Sequence, residues 1–262
     1  MSRRRERGQR NKLSLTTLLI GLVSMAVLLT SSMLLIASYK SKKQSLMDTT
    51  LHLNHTHAGK MSQTIDSLFR SMRTSLQYSA KTLSGKDDMS PAEMSEYLQF
   101  VRNSSNYFNS MAIINPNGLI QSVAPSSLGT TGKYVTTQAA LDATAAEAPF
   151  LSEPYRATST GRLIVLMTQP IVNKEGGYAG IVTGTVYLED QNILTMIFGS
   201  NTMDDSGSYY YIVSSDGRLI FHPDSTRIGE NVSANKVVQK LLKGKSGQEQ
   251  VVNTRGEAML AG

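Results

Sequence analysis

The chain has 262 residues, 26 Lys and Arg against 20 Asp and Glu, and no cysteine. Nine of those bases and one of those acids lie in residues 1–43, which leaves 17 bases and 19 acids, a net charge of −2, for everything after Lys43. The overall charge of +6 is therefore no basic surface for nucleic acid, and the lack of thiols excludes disulfides and thiolate zinc sites.

Arg3, Arg4, Arg5, Arg7, Arg10 and Lys12 precede an apolar run from Leu13 to Ser38, and Lys40, Lys42 and Lys43 follow it. Nothing between Leu15 and Ala37 is charged. About 20 apolar residues suffice to span the hydrocarbon core as a helix, and the heavier basic flank orients the N-terminus toward the cytoplasm. Residues 1–12 are accordingly expected to be a cytoplasmic basic tail and 13–38 a transmembrane helix, with the rest of the chain outside the cell. A cleaved signal peptide is the competing reading. Its apolar core usually has about 7 to 15 residues, fewer than this run, and Ile36-Ala37-Ser38 is a weak cleavage motif.

From Gln44 to Leu83 there is no Pro, and Gly59 is the single Gly. Met61, Ile65, Leu68, Met72, Leu76, Ala80 and Leu83 recur in steps of three and four, one stripe of a helix. A helix over residues 39–84 would extend roughly 60 Å at 1.5 Å per residue, from the membrane to the far end of an exterior domain. The same stripe can pack on a second copy, so a homodimer is expected. Ser90-Pro91-Ala92-Glu93 carries a cap, a first-turn proline and a capping-box acid, predicting a second helix to about Asn106.

The texture then turns to alternation. Strands are predicted at Met111–Ile114 and Leu119–Val123 around the turn Asn115-Pro116-Asn117-Gly118, a helix at Thr136–Ala146, and strands at Phe150–Arg156, Arg162–Val172 and Tyr178–Leu188. A second set begins near Ser208: strand Tyr209–Ser214, turn Ser215-Asp216-Gly217, strand Arg218–Phe221, helix Asn235–Leu242 and strand Gln248–Asn253. Its opening repeats that of Asn115–Val123. The expected fold class is α+β, a transmembrane helix and a long helix followed by two tandem antiparallel-sheet modules with helices on one face.

Few residues suggest catalysis. His52, His55 and His57 offer at most two ligands on one helix face, so a solvated polar face is expected and no metal. His222 before Pro223 has no nucleophile context, and a packed or hydrogen-bonded histidine is expected. Gly244-Lys245-Ser246 lacks the first glycine of a phosphate loop, since position 239 is Gln239. Asp204-Asp205 and Glu189-Asp190 are expected to be solvated helix caps. The 13 methionines suit core filling. No cofactor is expected.

Phe150-Leu-Ser-Glu-Pro-Tyr155, Gly161-Arg-Leu-Ile-Val165, Gln169-Pro170-Ile171, Gly176-Gly-Tyr-Ala-Gly180, Ile212-Val-Ser-Ser-Asp-Gly217 and Phe221-His-Pro-Asp224 together resemble the double Cache sensor domain of bacterial transmembrane receptors, from about Lys40 to the end. The resemblance implies a long helix backing two PAS-like modules, a membrane-distal one at 85–195 and a membrane-proximal one at 196–262, with a small-molecule pocket in the distal module. It also implies a second membrane helix and a cytoplasmic output domain after this segment, so the chain is expected to be truncated at Gly262. Ser41–Leu46 and Met61–Ser79 are similar to membrane diguanylate cyclases with a GGDEF output domain; chemotaxis receptors and histidine kinases carry the same sensor. A membrane-anchored protein-interaction domain is the alternative from another class, and an exterior enzyme is disfavoured for want of a nucleophile, base or metal set.

In the amino-acid-binding members an Arg and aromatics precede the distal helix, a Tyr-x-Asp lies on the next strand and another Asp on the last. Here Tyr134 and Tyr155 fit, but Ala157 and Thr185 stand where the two acids would be. A buried ammonium needs a carboxylate, so an α-amino acid is disfavoured, leaving small carboxylates, polyols or no ligand. The candidate pocket residues are Tyr134, Tyr155, Arg156, Thr168 and Thr185, with Arg156 the one candidate to hold an anion by a bidentate contact. Since neighbours on a strand face opposite sides, Tyr155 and Arg156 can both point inward only across a bulge.

Overall fold

The computed structural model describes residues 14–86, 88–199, 208–253 and 256–262; the basic tail at 1–12 and the pair Asp204-Asp205 lie outside the described residues. The chain divides into one unit up to Leu53 and a second from Asn54 onward. Helix α1, Leu15–Leu83, is a single element of 69 residues where the sequence predicts a span and a separate long helix. No proline interrupts it, which is the physical reason the two merge. Its N-terminal part is long and apolar enough to cross a membrane, with none of that window buried, and fits a membrane anchor.

In the second unit α1 buries Leu68, Met72, Leu76, Ala80 and Leu83, the predicted stripe. They pack on one face of a six-stranded antiparallel sheet. Its strands are β1 (Ser110–Ile114), β2 (Ile120–Ala124), β3 (Phe150–Leu151), β4 (Tyr155–Arg156), β5 (Leu163–Val172) and β6 (Tyr178–Tyr187), in the order β2-β1-β6-β5-β3, with β4 also paired to β5. Helix α2, Pro91–Ser105, starts at the predicted capping box: Ser90 accepts the Glu93 N–H, and the Glu93 carboxylate accepts the Ser90 N–H at 2.8 Å. The predicted strand Phe150–Arg156 is split into β3 and β4. Pro154 lies in the gap and has no N–H to give a ladder.

Gly184 in β6 faces α1, and the ring of Phe108 lies against it where a Cβ would stand. Phe108 is itself buried, so Gly184→Ala must displace it. An overpacking cost of about 1–3 kcal/mol is expected. Thermal unfolding followed by circular dichroism should show a midpoint several degrees lower, roughly 4–8 °C per kcal/mol for a small domain; an unchanged midpoint would mean the ring moves freely.

Beyond β6 comes α4, Ile193–Phe198, which the sequence does not predict. Asn192 caps it, accepting the N–H groups of Leu194 and Thr195 at 2.8 and 3.1 Å. The remaining elements are the hairpin β7 (Ile212–Val213) and β8 (Leu219–Phe221), helix α5 (Lys236–Leu242), and the hairpin β9 (Glu249–Val252) and β10 (Ala258–Ala261). The Asn54 amide donates to the Leu260 carbonyl at 2.7 Å, holding β10 against α1.

The internal repeat is visible in the backbone hydrogen bonds. Asn115 N–H donates to Leu119 O and Gly118 N–H to Asn115 O; the same two bonds join Ser214 to Arg218 and Gly217 to Ser214. Next, Ile120 and Leu219 donate to Lys133 O and Glu230 O, and Val135 and Val232 to Gly118 O and Gly217 O. In both copies a strand, an Asx-Gly or Asp-Gly turn, a second strand and a crossing loop lead into a helix, α3 (Gln138–Ala145) or α5.

Candidate functional site

Alternation along β5 and β6 sorts the sheet's side chains into two faces. Met111, Met167, Val182 and Val186 belong to the core under α1. The opposite face, covered by Ala140 and Ala143 of α3, carries Ile114, Leu166 and Ile181, and interspersed with them a row of hydroxyls. Thr168 lies directly opposite Thr183, while Thr185 lies opposite Ser110 on one side and Leu166 on the other. All four are buried.

Thr168 is 0% exposed, and its hydroxyl oxygen has no hydrogen-bond partner among the described residues. Leaving such a group unpaired costs about 1–3 kcal/mol. Phe150, Tyr155 and Tyr178 pack along the borders of the same face. The Tyr178 hydroxyl donates to the Thr144 carbonyl at 2.6 Å, tying β6 to α3. Burial pushes the Tyr155 phenol up to about 12, so it is a neutral hydrogen-bond donor at physiological pH.

The structure thus brings Tyr155, Thr168 and Thr185 onto one face and leaves Tyr134 and Arg156 apart from them. Tyr134 is 63% exposed, bridging its backbone to Leu119. Strand β4 has no bulge: Tyr155 pairs with Ile164 and Arg156 with Leu163, so as Tyr155 turns inward Arg156 turns out. Its guanidinium grips Glu189 through two bonds of 2.5 and 3.1 Å and also donates to Gly161 O. The Arg156 hydrogen bonds hold the Glu189 carboxyl below the usual carboxylate range. Asp190 pairs with Arg162 at 3.0 Å. The acidic pair expected to cap a helix therefore holds two exposed arginines at the rim instead, and the cap is Asn192.

Ser110 and Thr183 were not picked from the sequence. Thr183 was within reach, because a strand that points Thr185 at one face points Thr183 the same way; Ser110 could be found only through its pairing with Thr185. No described Asp or Glu is buried, and among the described residues no three His, Asp or Glu groups gather to hold a metal. His222 is buried, with Nδ1 accepting the Asp224 N–H at 2.9 Å and the Tyr209 ring edge-on at 5.3 Å; burial, then the nearby Arg227 charge, lower its pKa. It is a packed, hydrogen-bonded histidine.

The Cache domain family, in its dCache_1 form, matches residues 38–262. The chain belongs to the Cache domain family. It is a sensor domain of the kind found in signal-transducing receptors. One relative, the methyl-accepting chemotaxis protein PscA of Pseudomonas syringae, is 30% identical over 83 residues, covering 32% of this chain and 12% of the relative. An extracellular ligand-binding receptor of Desulfohalobium retbaense has the same fold with a TM-score of 0.61 at 19% identity, over 77% of this chain and 36% of that one. The ligand-binding domain of the Pseudomonas aeruginosa chemoreceptor PctC, solved with GABA, matches with a TM-score of 0.53 at 20% identity, over 79% of this Cache chain and 90% of that domain. The chain thus spans only 12% and 36% of the lengths of the first two.

Proposed function

We propose that this Cache chain is the extracellular, membrane-anchored input region of a signal transducer, with a distal module at 85–195 that binds a small neutral polyhydroxylated molecule and a proximal module at 196–262. The carrying observation is the buried row Ser110, Thr168, Thr183 and Thr185 beside the neutral phenol of Tyr155, on a face where no described carboxylate is buried. Hydroxyls both donate and accept, which suits a polyol. An ammonium would lack a counter-charge, and the guanidiniums of Arg156 and Arg162 are exposed and held by Glu189 and Asp190.

Binding shifts the receptor only if the ligand favours one of two arrangements, and α1, packed on the sheet, is the element proposed to carry the shift toward the membrane. The relatives favour a chemotaxis-type output. A diguanylate cyclase is the second reading, resting on Ser41–Leu46 and Met61–Ser79, and homodimerisation along α1 is part of the proposal. The test is calorimetry of the 262-residue chain in detergent micelles against a panel of sugars, polyols, small carboxylates and amino acids. A polyol should bind, and Tyr155→Ala and Thr185→Val should each weaken it roughly tenfold, the worth of one or two lost hydrogen bonds in a desolvated site. Equal binding by both variants would overturn the assignment of this face.

A further inference from the structure

The hydroxyl row on the α3 face is closed to water: Ser110 is 6% exposed, Thr168 0%, Thr183 2% and Thr185 8%. A ligand reaches it only when its cover moves. Part of that cover is α3, and packing does little to hold it down. Isolated helices shorter than about 12 residues are marginal in water, and α3 has 8 residues. It buries Ala140, Ala143 and Thr144, small side chains that contribute little hydrophobic adhesion. Leu141, its largest apolar side chain, is 41% exposed.

Polar ties hold its ends instead. Thr137, at the N-terminal cap, makes no side-chain bond to the helix's own N–H groups. Its hydroxyl lies 3.2 Å from that of Thr158, in the turn after β4, and the Thr136 hydroxyl lies 2.7 Å from the same group. The Thr158 N–H also donates to Thr137 Oγ1 at 3.5 Å. At the other end the Tyr178 phenol holds the Thr144 carbonyl. Thr136 and Thr158 are exposed, so water readily takes over their bonds, whereas Thr144 is buried and Tyr178 half-buried. The N-terminal end is therefore the one that lets go first. We propose that α3 is a lid over the binding face, with the clasp of Thr136, Thr137 and Thr158 as its latch and the Tyr178–Thr144 bond as its hinge. This role for α3 rests on the α3 face being the ligand site. Only the open fraction admits ligand, and a ligand shut in leaves only when the latch opens. Loss of the latch weakens the closed form equally with and without ligand, so both rates rise together and the affinity stays the same.

The first measurement needs no ligand. Hydrogen exchange of the 262-residue chain in detergent micelles, read by mass spectrometry, should show α3 amides exchanging roughly threefold to tenfold faster in Thr158→Val, the range for one hydrogen bond. The amides of β5 and β6 should be unchanged. Thr158→Ser, which keeps the hydroxyl, should behave as the parent chain. Thr158 is exposed, so neither change threatens the fold. The second measurement is stopped-flow tyrosine fluorescence with glycerol, sorbitol and glucose. For each that binds, Thr158→Val should raise the association and dissociation rates by similar factors and leave Kd unchanged. Unchanged α3 exchange in Thr158→Val, or faster exchange spread through β5 and β6, would overturn the lid. So would a weakened Kd with an unchanged association rate, which would make Thr158 a ligand contact. Binding by none of the three, with α3 exchange still accelerated, would support the latch and count only against a polyol as the ligand.

Discussion

Leu76→Ala should destabilise the domain by about 2–5 kcal/mol, the range for removing a fully buried leucine. Leu76 is 0% exposed and belongs to the cluster joining α1 to Met111, Val182 and Val186 of the sheet. Close packing around the site lets it relax only partly into the cavity left by three missing carbons. Against a total stability of about 5–15 kcal/mol the loss is large. The check is urea unfolding of the 262-residue chain in micelles, followed by circular dichroism, with a lower midpoint and an unchanged slope. Leu141→Ala on α3, where Leu141 is 41% exposed, serves as control and should stay within about 0.5 kcal/mol. Equal midpoints for the two variants would show that the α1 stripe does not hold the sheet.

The long helix, the capping box at Ser90 and the hairpin turns were legible because each rests on local chemistry. The stripe from Met61 to Leu83 has one period throughout, Ser90 and Glu93 satisfy each other's backbone donors, and Asn115-Pro-Asn-Gly118 places a positive-φ glycine where the turn needs one. Even the tandem repeat could be seen, since strand, turn and strand recur in the sequence with the hydrogen bonds that the structure then displays. What escaped was non-local. Helix α4 is short and depends on one asparagine cap rather than on periodicity. The partners of Glu189 and Asp190 are arginines 33 and 28 positions earlier, and no local rule reveals that β4 folds back on β5 to bring them together.

The candidate site was legible in the same uneven way. Tyr155 and Thr185 were found by matching positions to a family, Thr168 was picked as a pocket candidate beside them, and strand alternation alone already opposed Arg156 sharing their face, as the unbulged β4 shows.

Putting carboxylates at positions 157 and 185 should convert the α3 face to an ammonium site. Register brings the two positions to one face: Tyr155 pairs with Ile164, Ile164 with Tyr187, and Thr185 is two residues from Tyr187 on the same face, with Ala157 buried against Ile164, Tyr187 and Tyr155. Without ligand, Ala157→Asp combined with Thr185→Asp buries two acids, and the neighbouring Arg162 is already paired with Asp190. Burial penalises their charged forms, so their folded pKa values rise above the unfolded value of about 3.9. A group raised in this way keeps its contribution below the unfolded pKa and loses it as pH climbs through the folded one. The double variant should therefore be markedly less stable at pH 8 than at pH 5, by as much as the roughly 3–5 kcal/mol of an uncompensated buried charge. An α-amino acid supplies the missing counter-charge. Adding L-serine or L-alanine at pH 8 should raise the thermal midpoint of the double variant, leave the parent chain unmoved, and have a smaller effect on Thr185→Asp alone. If neither amino acid stabilises the double variant while its pH sensitivity is present, the acids are buried but do not face a ligand, and the α3 face is packing rather than a pocket.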